Sequence, residues 1–193
     1  MKARLLSVSL ALTAAGLGQA WANQNSQQPA NDLADRIISV PNPNSYRVDG
    51  VRNARVRTDP GVQFGRALRV PVPGRNDQAW TVAVAVPITR PVAAGDRLIL
   101  AFWARLEEGE NGAASAELPY NSVQLATAPY TALFHGGVTI TPRWQLFQIR
   151  GNADRAYAAD TLNASLHLAT GRQTVDIGPV IVLDMGQPGA AAH

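Results

Sequence analysis

The chain has 193 residues, of which 17 are Lys or Arg and 14 are Asp or Glu, for a formal net charge of +3, and it has no cysteine. The missing cysteine excludes thiol catalysis, Cys-based zinc sites, Cys-linked lipid anchors and disulfides, while the length suffices for one hydrophobic core without such staples. The positive balance does not point to nucleic acid, because Arg52, Arg55, Arg57, Arg66, Arg69 and Arg75 are interspersed with Asp and Gly instead of forming a phosphate-binding stripe.

Lys2 and Arg4 make a basic start, an apolar run follows from Leu5 to Leu17, and Ala20-Trp21-Ala22 supplies small residues at cleavage positions. This is the pattern of a Sec-type signal peptide over residues 1–22. The run is too short and too rich in Gly and Ala for a membrane anchor, which needs about 20 strongly apolar residues. No second stretch of spanning length follows, so the mature chain is expected to have no membrane span. Cleavage would remove Lys2 and Arg4 but no acid, leaving 15 basic residues against 14 acidic ones, or +1. Lys2 is the only lysine, and the preference for Arg, Ala, Gly and Pro fits GC-rich codons. Together these predict a bacterial protein exported to the periplasm or the medium.

Residues 23–37 open with a polar, aperiodic stretch and read as a flexible leader. Residues 38–186 carry the folded domain, and residues 187–193, including His193, read as a frayed tail. Within the domain, short β-rich runs alternate with turn signals and no long amphipathic helix is evident. The expected strands are 66–72, 78–88, 97–106, 122–128, 137–141, 144–150, 162–169 and 173–183, divided by turns such as Pro73-Gly74, Gly95-Asp96, Gly136-Gly137 and Thr170-Gly171. About eight strands in this span predict an all-β fold, a two-sheet antiparallel β-sandwich or jelly roll.

Alternation assigns the faces. Leu98, Leu100, Phe102, Ala104 and Leu106 form one row, with Ile99, Ala101, Trp103 and Arg105 opposite. Leu162, Ala164, Leu166 and Leu168 point inward, which leaves Asn163, Ser165 and His167 outward, and Gln124 is outward beside Val123 and Leu125. Trp144 is expected in the core because it alternates with Leu146, and Trp80 because it shares a row with Val82, Val84 and Val86.

Three segments in this order resemble the carbohydrate-binding modules of the family 4/9 type. Gly95-Asp96-Arg97-Leu98-Ile99-Leu100-Ala101-Phe102-Trp103-Ala104-Arg105 is similar to their "G-D-x-L-x-L-x-F-W-A-R" strand. Val138 to Phe147, with Trp144-Gln145, is similar to a later "L-T-x-x-W-Q" segment, and Leu166-His167-Leu168 followed by Thr174 to Ile177 is similar to the closing strands. The likeness covers roughly residues 63–186. It implies a galactose-binding-like jelly roll and a module that binds polysaccharide, usually beside a catalytic domain. It also allows a structural calcium near the closing strands, although Gly178-Pro179 stands beside the place where the family often has an Asp, with Asp176 and Asp184 to either side; no other cofactor is implied.

The expected binding residues are Trp103, Arg105, Gln124, Tyr130, Asn163 and His167, of which all but the loop residue Tyr130 form one platform on a concave sheet face if their strands lie side by side. A pyranose offers an apolar C–H face that can stack on an indole, and its hydroxyls need the donors and acceptors that Gln, Asn, His and Arg carry. Tyr120, Tyr130, Phe134, His135 and Tyr157 could close the groove from loops, with His135 read first as a turn residue. The bland alternative is a solvated sheet face with Trp103 covered by a loop.

For function, the leading reading is a non-catalytic, exported, monomeric protein that binds a plant- or microbe-derived polysaccharide. A second is a jelly-roll polysaccharide lyase or hydrolase, using His167, Arg105 and Tyr130 or the acids Glu117 and Asp176. A third is a structural or interaction domain of the envelope. No G-x-S-x-G, H-E-x-x-H or P-loop motif is present.

Overall fold

The computed structural model describes residues 33–187. The expected signal peptide, most of the leader and the tail beyond Gln187 lie outside the described residues. Ten strands are present: β1 (Arg47–Asp49), β2 (Arg55–Thr58), β3 (Arg66–Val72), β4 (Ala83–Ile88), β5 (Arg97–Glu108), β6 (Ala116–Leu125), β7 (Ala132–Ile140), β8 (Gln145–Asn152), β9 (Leu162–His167) and β10 (Gln173–Asp184). They form two antiparallel five-stranded sheets, ordered β1-β4-β9-β6-β7 and β2-β3-β10-β5-β8.

The sheets face each other across one apolar core, to which each strand gives alternate residues. Val84, Val86, Leu162, Ala164, Leu166 and Val123 come from the first sheet, and Val70, Leu100, Phe102, Val175, Ile177 and Val180 from the second; all are buried. Every second residue of a strand faces one way, so the outer rows of the two sheets lie on opposite sides of the sandwich.

Both sides of the sandwich are closed. On one, Ile37 bridges to Leu183 in the second sheet and Ser39 to Ile88 in the first. The register of β10 shifts between Ile177 and Val180, where Pro179 has no N–H to give a ladder. Two hydroxyls serve this irregularity. Tyr46 Oη accepts from Val180 N at 2.8 Å and donates to Gly178 O at 3.3 Å, while Ser39 Oγ accepts from Val182 N at 2.8 Å and donates to Val180 O at 3.3 Å. On the other side, Phe134 of β7 lies against Gly151 of β8, so closely that a Cβ on Gly151 would fall 2.2 Å from its ring.

All eight expected strands are found, with β3 at its expected bounds. β1 and β2 were not expected: they have three and four residues, too few to show a period. The run predicted from Gln78 starts at Ala83, because Ala79–Thr81 forms a 3-10 turn. That turn breaks the row assumed for Trp80, which is exposed and not in the core.

Candidate functional site

The residues expected to make one platform do not come together. Trp103 and Arg105 are on β5, in the second sheet, whereas Gln124 on β6 and Asn163 and His167 on β9 belong to the first. Both sets point outward, on opposite faces of the sandwich.

On the second sheet, the outer surface is built on ion pairs. Asp176 of β10 lies between Arg69 and Arg105, its register partners on β3 and β5. Arg69 Nε donates to its Oδ1 at 2.8 Å and Arg105 Nη2 to its Oδ2 at 2.8 Å. Glu107 and Asp59 bind the same guanidinium of Arg105 at 2.8 and 3.0 Å. Burial raises the pKa of the Asp176 carboxyl, but the hydrogen bonds and charges of Arg69 and Arg105 outweigh it and hold the group below the usual carboxylate range.

The β2–β3 loop lies over this surface. Gln63 Oε1 accepts from Trp103 Nε1 at 3.1 Å, and Gly61 packs beside the Trp144 indole, over which the Arg105 guanidinium sits at 5.0 Å. Trp144 therefore does share a row with Leu146, but that row faces out: Leu146 is exposed and Trp144 is half-buried under the loop. Arg105 is committed to three carboxylates and Trp103 is tied to the loop, so the covered-face alternative describes both.

The outer face of the first sheet is different in character. Tyr120 of β6 stacks between His135 of β7, with ring centroids 4.4 Å apart, and His167 of β9, at 4.8 Å; both pairs are tilted by only 19°. Side chains stand perpendicular to a sheet, so three rings on three adjacent strands form a ladder across it. Beyond His167 the register continues to Ala83 and then Asp49, and one step along from Ser165 to Ala85 and Arg47. Small residues thus lie between the imidazole and the Arg47–Asp49 ion pair, whose atoms are 3.2 Å apart.

Polar groups extend the row along the strands. Ser165 is opposite Ser122, and Asn163 opposite Gln124. Gln124 Oε1 is taken by the Ser122 hydroxyl at 2.8 Å, which orients the amide, and Asn163 Oδ1 is buried with no donor among the described residues. Burial also lowers the pKa of His167 to about 4, so the ring is neutral at neutral pH. Exposed aromatics mark both ends: Tyr130, with positive φ, sits in the β6–β7 loop beyond Gln124, and Trp80 lies at the His167 end, where Ala79 O accepts from Ala169 N. Of the six expected residues, this face brings together Gln124, Asn163 and His167, with Tyr130 at its end. Tyr120 and His135 were legible only as loop aromatics, because their stacking depends on which strands are neighbours.

The enzymatic constellations do not assemble. Arg105 is on the opposite sheet from His167, and Glu117 of β6 is on the opposite sheet from Asp176. Several of the oxygens near Gly178-Pro179 are already engaged within the chain. Gly178 O is occupied by the Tyr46 hydroxyl, Asp176 is saturated by arginines, and Asp184 Oδ1 accepts from Gly186 N at 2.8 Å. Among the described residues no group of three His, Cys, Asp or Glu could hold a metal, and no helix is long and apolar enough to cross a membrane.

No family model matches the chain, and no curated protein matches it. Solved structures are. A family 4 carbohydrate-binding module is 22% identical with a TM-score of 0.52, over 75% of this chain and 89% of that one. The second N-terminal cellulose-binding domain of Cellulomonas fimi β-1,4-glucanase C is 16% identical with a TM-score of 0.53, over 72% and 84%. The xylan-binding first family 22 module of Paenibacillus barcinonensis Xyn10C is 11% identical with a TM-score of 0.50, over 79% and 94%. The fold is that of the carbohydrate-binding jelly rolls. These identities establish the architecture, and ligand choice has to be argued from the chain's own surface.

Proposed function

We propose that this chain is a non-catalytic carbohydrate-binding protein, exported from a bacterium, that holds a polysaccharide on the outer face of the β1-β4-β9-β6-β7 sheet. The observation that carries the reading is the His135–Tyr120–His167 ladder, set beside amides and hydroxyls. Rings give the apolar C–H faces of a sugar a wall to stack on, while the Asn163 and Gln124 amides and the Ser165 hydroxyl, deep-set between them, offer donors and acceptors to its hydroxyls, with Ser122 fixing the Gln124 amide. Both faces of Tyr120 are covered by imidazoles, so the sugar meets the outer face or edges of the ladder, and Tyr120 acts as its centre support. Tyr130 and Trp80 extend the contact at the two ends. Cellulose- and xylan-binding domains share this fold, which supports a glycan ligand.

The test is calorimetric titration with a panel of soluble polysaccharides and oligosaccharides, run on the wild type, Tyr120→Ala and Trp103→Ala. Tyr120 holds both imidazoles in place, each pair being worth about 0.5–1.5 kcal/mol, so Tyr120→Ala should misplace the rings that meet the sugar and weaken binding about tenfold, and Trp103→Ala should leave it unchanged. No binding across the panel, or the reverse order of the two variants, would defeat the assignment.

A further inference from the structure

At the His167 end of the sandwich, the β5–β6 and β9–β10 loops and the first half of β6 line an open cavity of about 350 Å³ whose walls include Arg75, Glu110, Glu117, Thr170, Gly171 and Gln173, with Pro119, the neighbour of Tyr120, at its rim. Its volume is at the small end of ligand pockets. Gln173 is 5% exposed, and its amide cannot turn freely: Nε2 donates to Leu168 O at 3.1 Å and to Thr170 Oγ1 at 3.0 Å. Oε1 is therefore the atom left over. No described residue donates to it, and it lies 4.0 Å from the point where a Cβ on Gly171 would be. The same absent Cβ would lie 3.1 Å from Glu110 Oε2, so the glycine keeps open the space between these two acceptors.

We infer that this cavity is a second binding site, for a single hydroxyl-rich unit such as a monosaccharide or the end of a glycan chain. The wall offers an excess of acceptors, namely the two glutamates and the oriented Gln173 oxygen, with the Arg75 guanidinium as one donor fork. Vicinal hydroxyls supply the matching donors and accept from arginine, each in a geometry that carboxylates and amides satisfy. No aromatic ring lines the cavity, so recognition here is by hydrogen bonding and not by stacking on a chain. Two carboxylates against one guanidinium also disfavour an anionic sugar. No ring of the ladder lines this cavity, so its occupancy is read separately from binding on the ladder.

The experiment is a ¹H–¹⁵N correlation spectrum of the full-length mature protein titrated with a panel of neutral monosaccharides to about 10 mM, ten times a Kd of about 1 mM. Saturable shifts of the Gly171 and Gln173 signals with at least one sugar are expected, unchanged in Tyr120→Ala and weakened at least about tenfold in Glu110→Gln/Glu117→Gln. Thermal melting of the double variant controls for folding. Absence of any shift at Gly171 and Gln173 would overturn the assignment. So would shifts that calcium chloride alone reproduces and sugars do not, since the cavity would then be a cation site.

Discussion

His167 faces outward from its sheet yet is 9% exposed, and that desolvation takes its pKa from the ordinary 6.5 to about 4. Between those two values the unfolded chain carries a proton that the folded one refuses. Stability is therefore complete above pH 6.5 and falls as the pH drops toward 4, by about 3 kcal/mol for this group. His167→Gln should remove that slope: its unfolding free energy by urea titration should depend less on pH between 4 and 6.5 than that of the wild type. Equal slopes would mean that the ring is solvated. Asp176 has the opposite kind of environment, a carboxylate with no exposure between Arg69 and Arg105. Asp176→Ala leaves those guanidiniums without their shared partner and should cost about 3–5 kcal/mol, read as a lower urea midpoint, with glycan binding at the ladder retained in the folded fraction.

Strand-level pattern and sheet-level placement are different kinds of information, and this chain separates them. Alternation identified the outward residues of β5 and β9 correctly, since Leu98, Leu100 and Phe102 are buried while Trp103 and Arg105 face out. It could not say that β5 lies beside β10 and β8 while β9 lies between β4 and β6. That arrangement is set by pairings far apart in sequence, so a single imagined row joined Trp103 to His167 when they sit on opposite faces. Trp144 shows the same limit: its row with Leu146 was legible, but which side that row faced was not. The contact between β7 and β8, likewise invisible locally, makes a sharp prediction. Gly151→Ala would drive a methyl into the Phe134 ring, and overpacking of this kind costs about 1–3 kcal/mol. Thermal unfolding should show the loss, and adding Phe134→Leu should recover part of it because the larger ring is the obstacle; if Gly151→Ala melts with the wild type, that edge of the sandwich has room to spare and the Phe134–Gly151 contact does not hold it.

Across the whole molecule, the two sheets are joined near the closing strand by hydroxyls where the family resemblance allowed a calcium ion. Tyr46 holds both Gly178 O and Val180 N, and burial pushes its phenol pKa well up, so the O–H remains a proton donor throughout the usual pH range. Ser39 repeats the arrangement one pair further along, on the segment that bridges to both sheets. With these groups satisfied internally, the positions around Gly178-Pro179 are closed by the chain's own hydroxyls, while Asp184 further along β10 keeps its carboxyl beside that of Asp96. Two outcomes follow for one experiment. Exhaustive chelation should leave the melting temperature of the wild type unchanged, whereas Tyr46→Phe, which orphans a buried N–H and a carbonyl, should lower stability by about 1–3 kcal/mol. A chelator-induced drop restored by calcium would show that the ion, and not the phenol, closes this end of the jelly roll; a silent Tyr46→Phe would show that water or backbone relaxation meets the two groups instead.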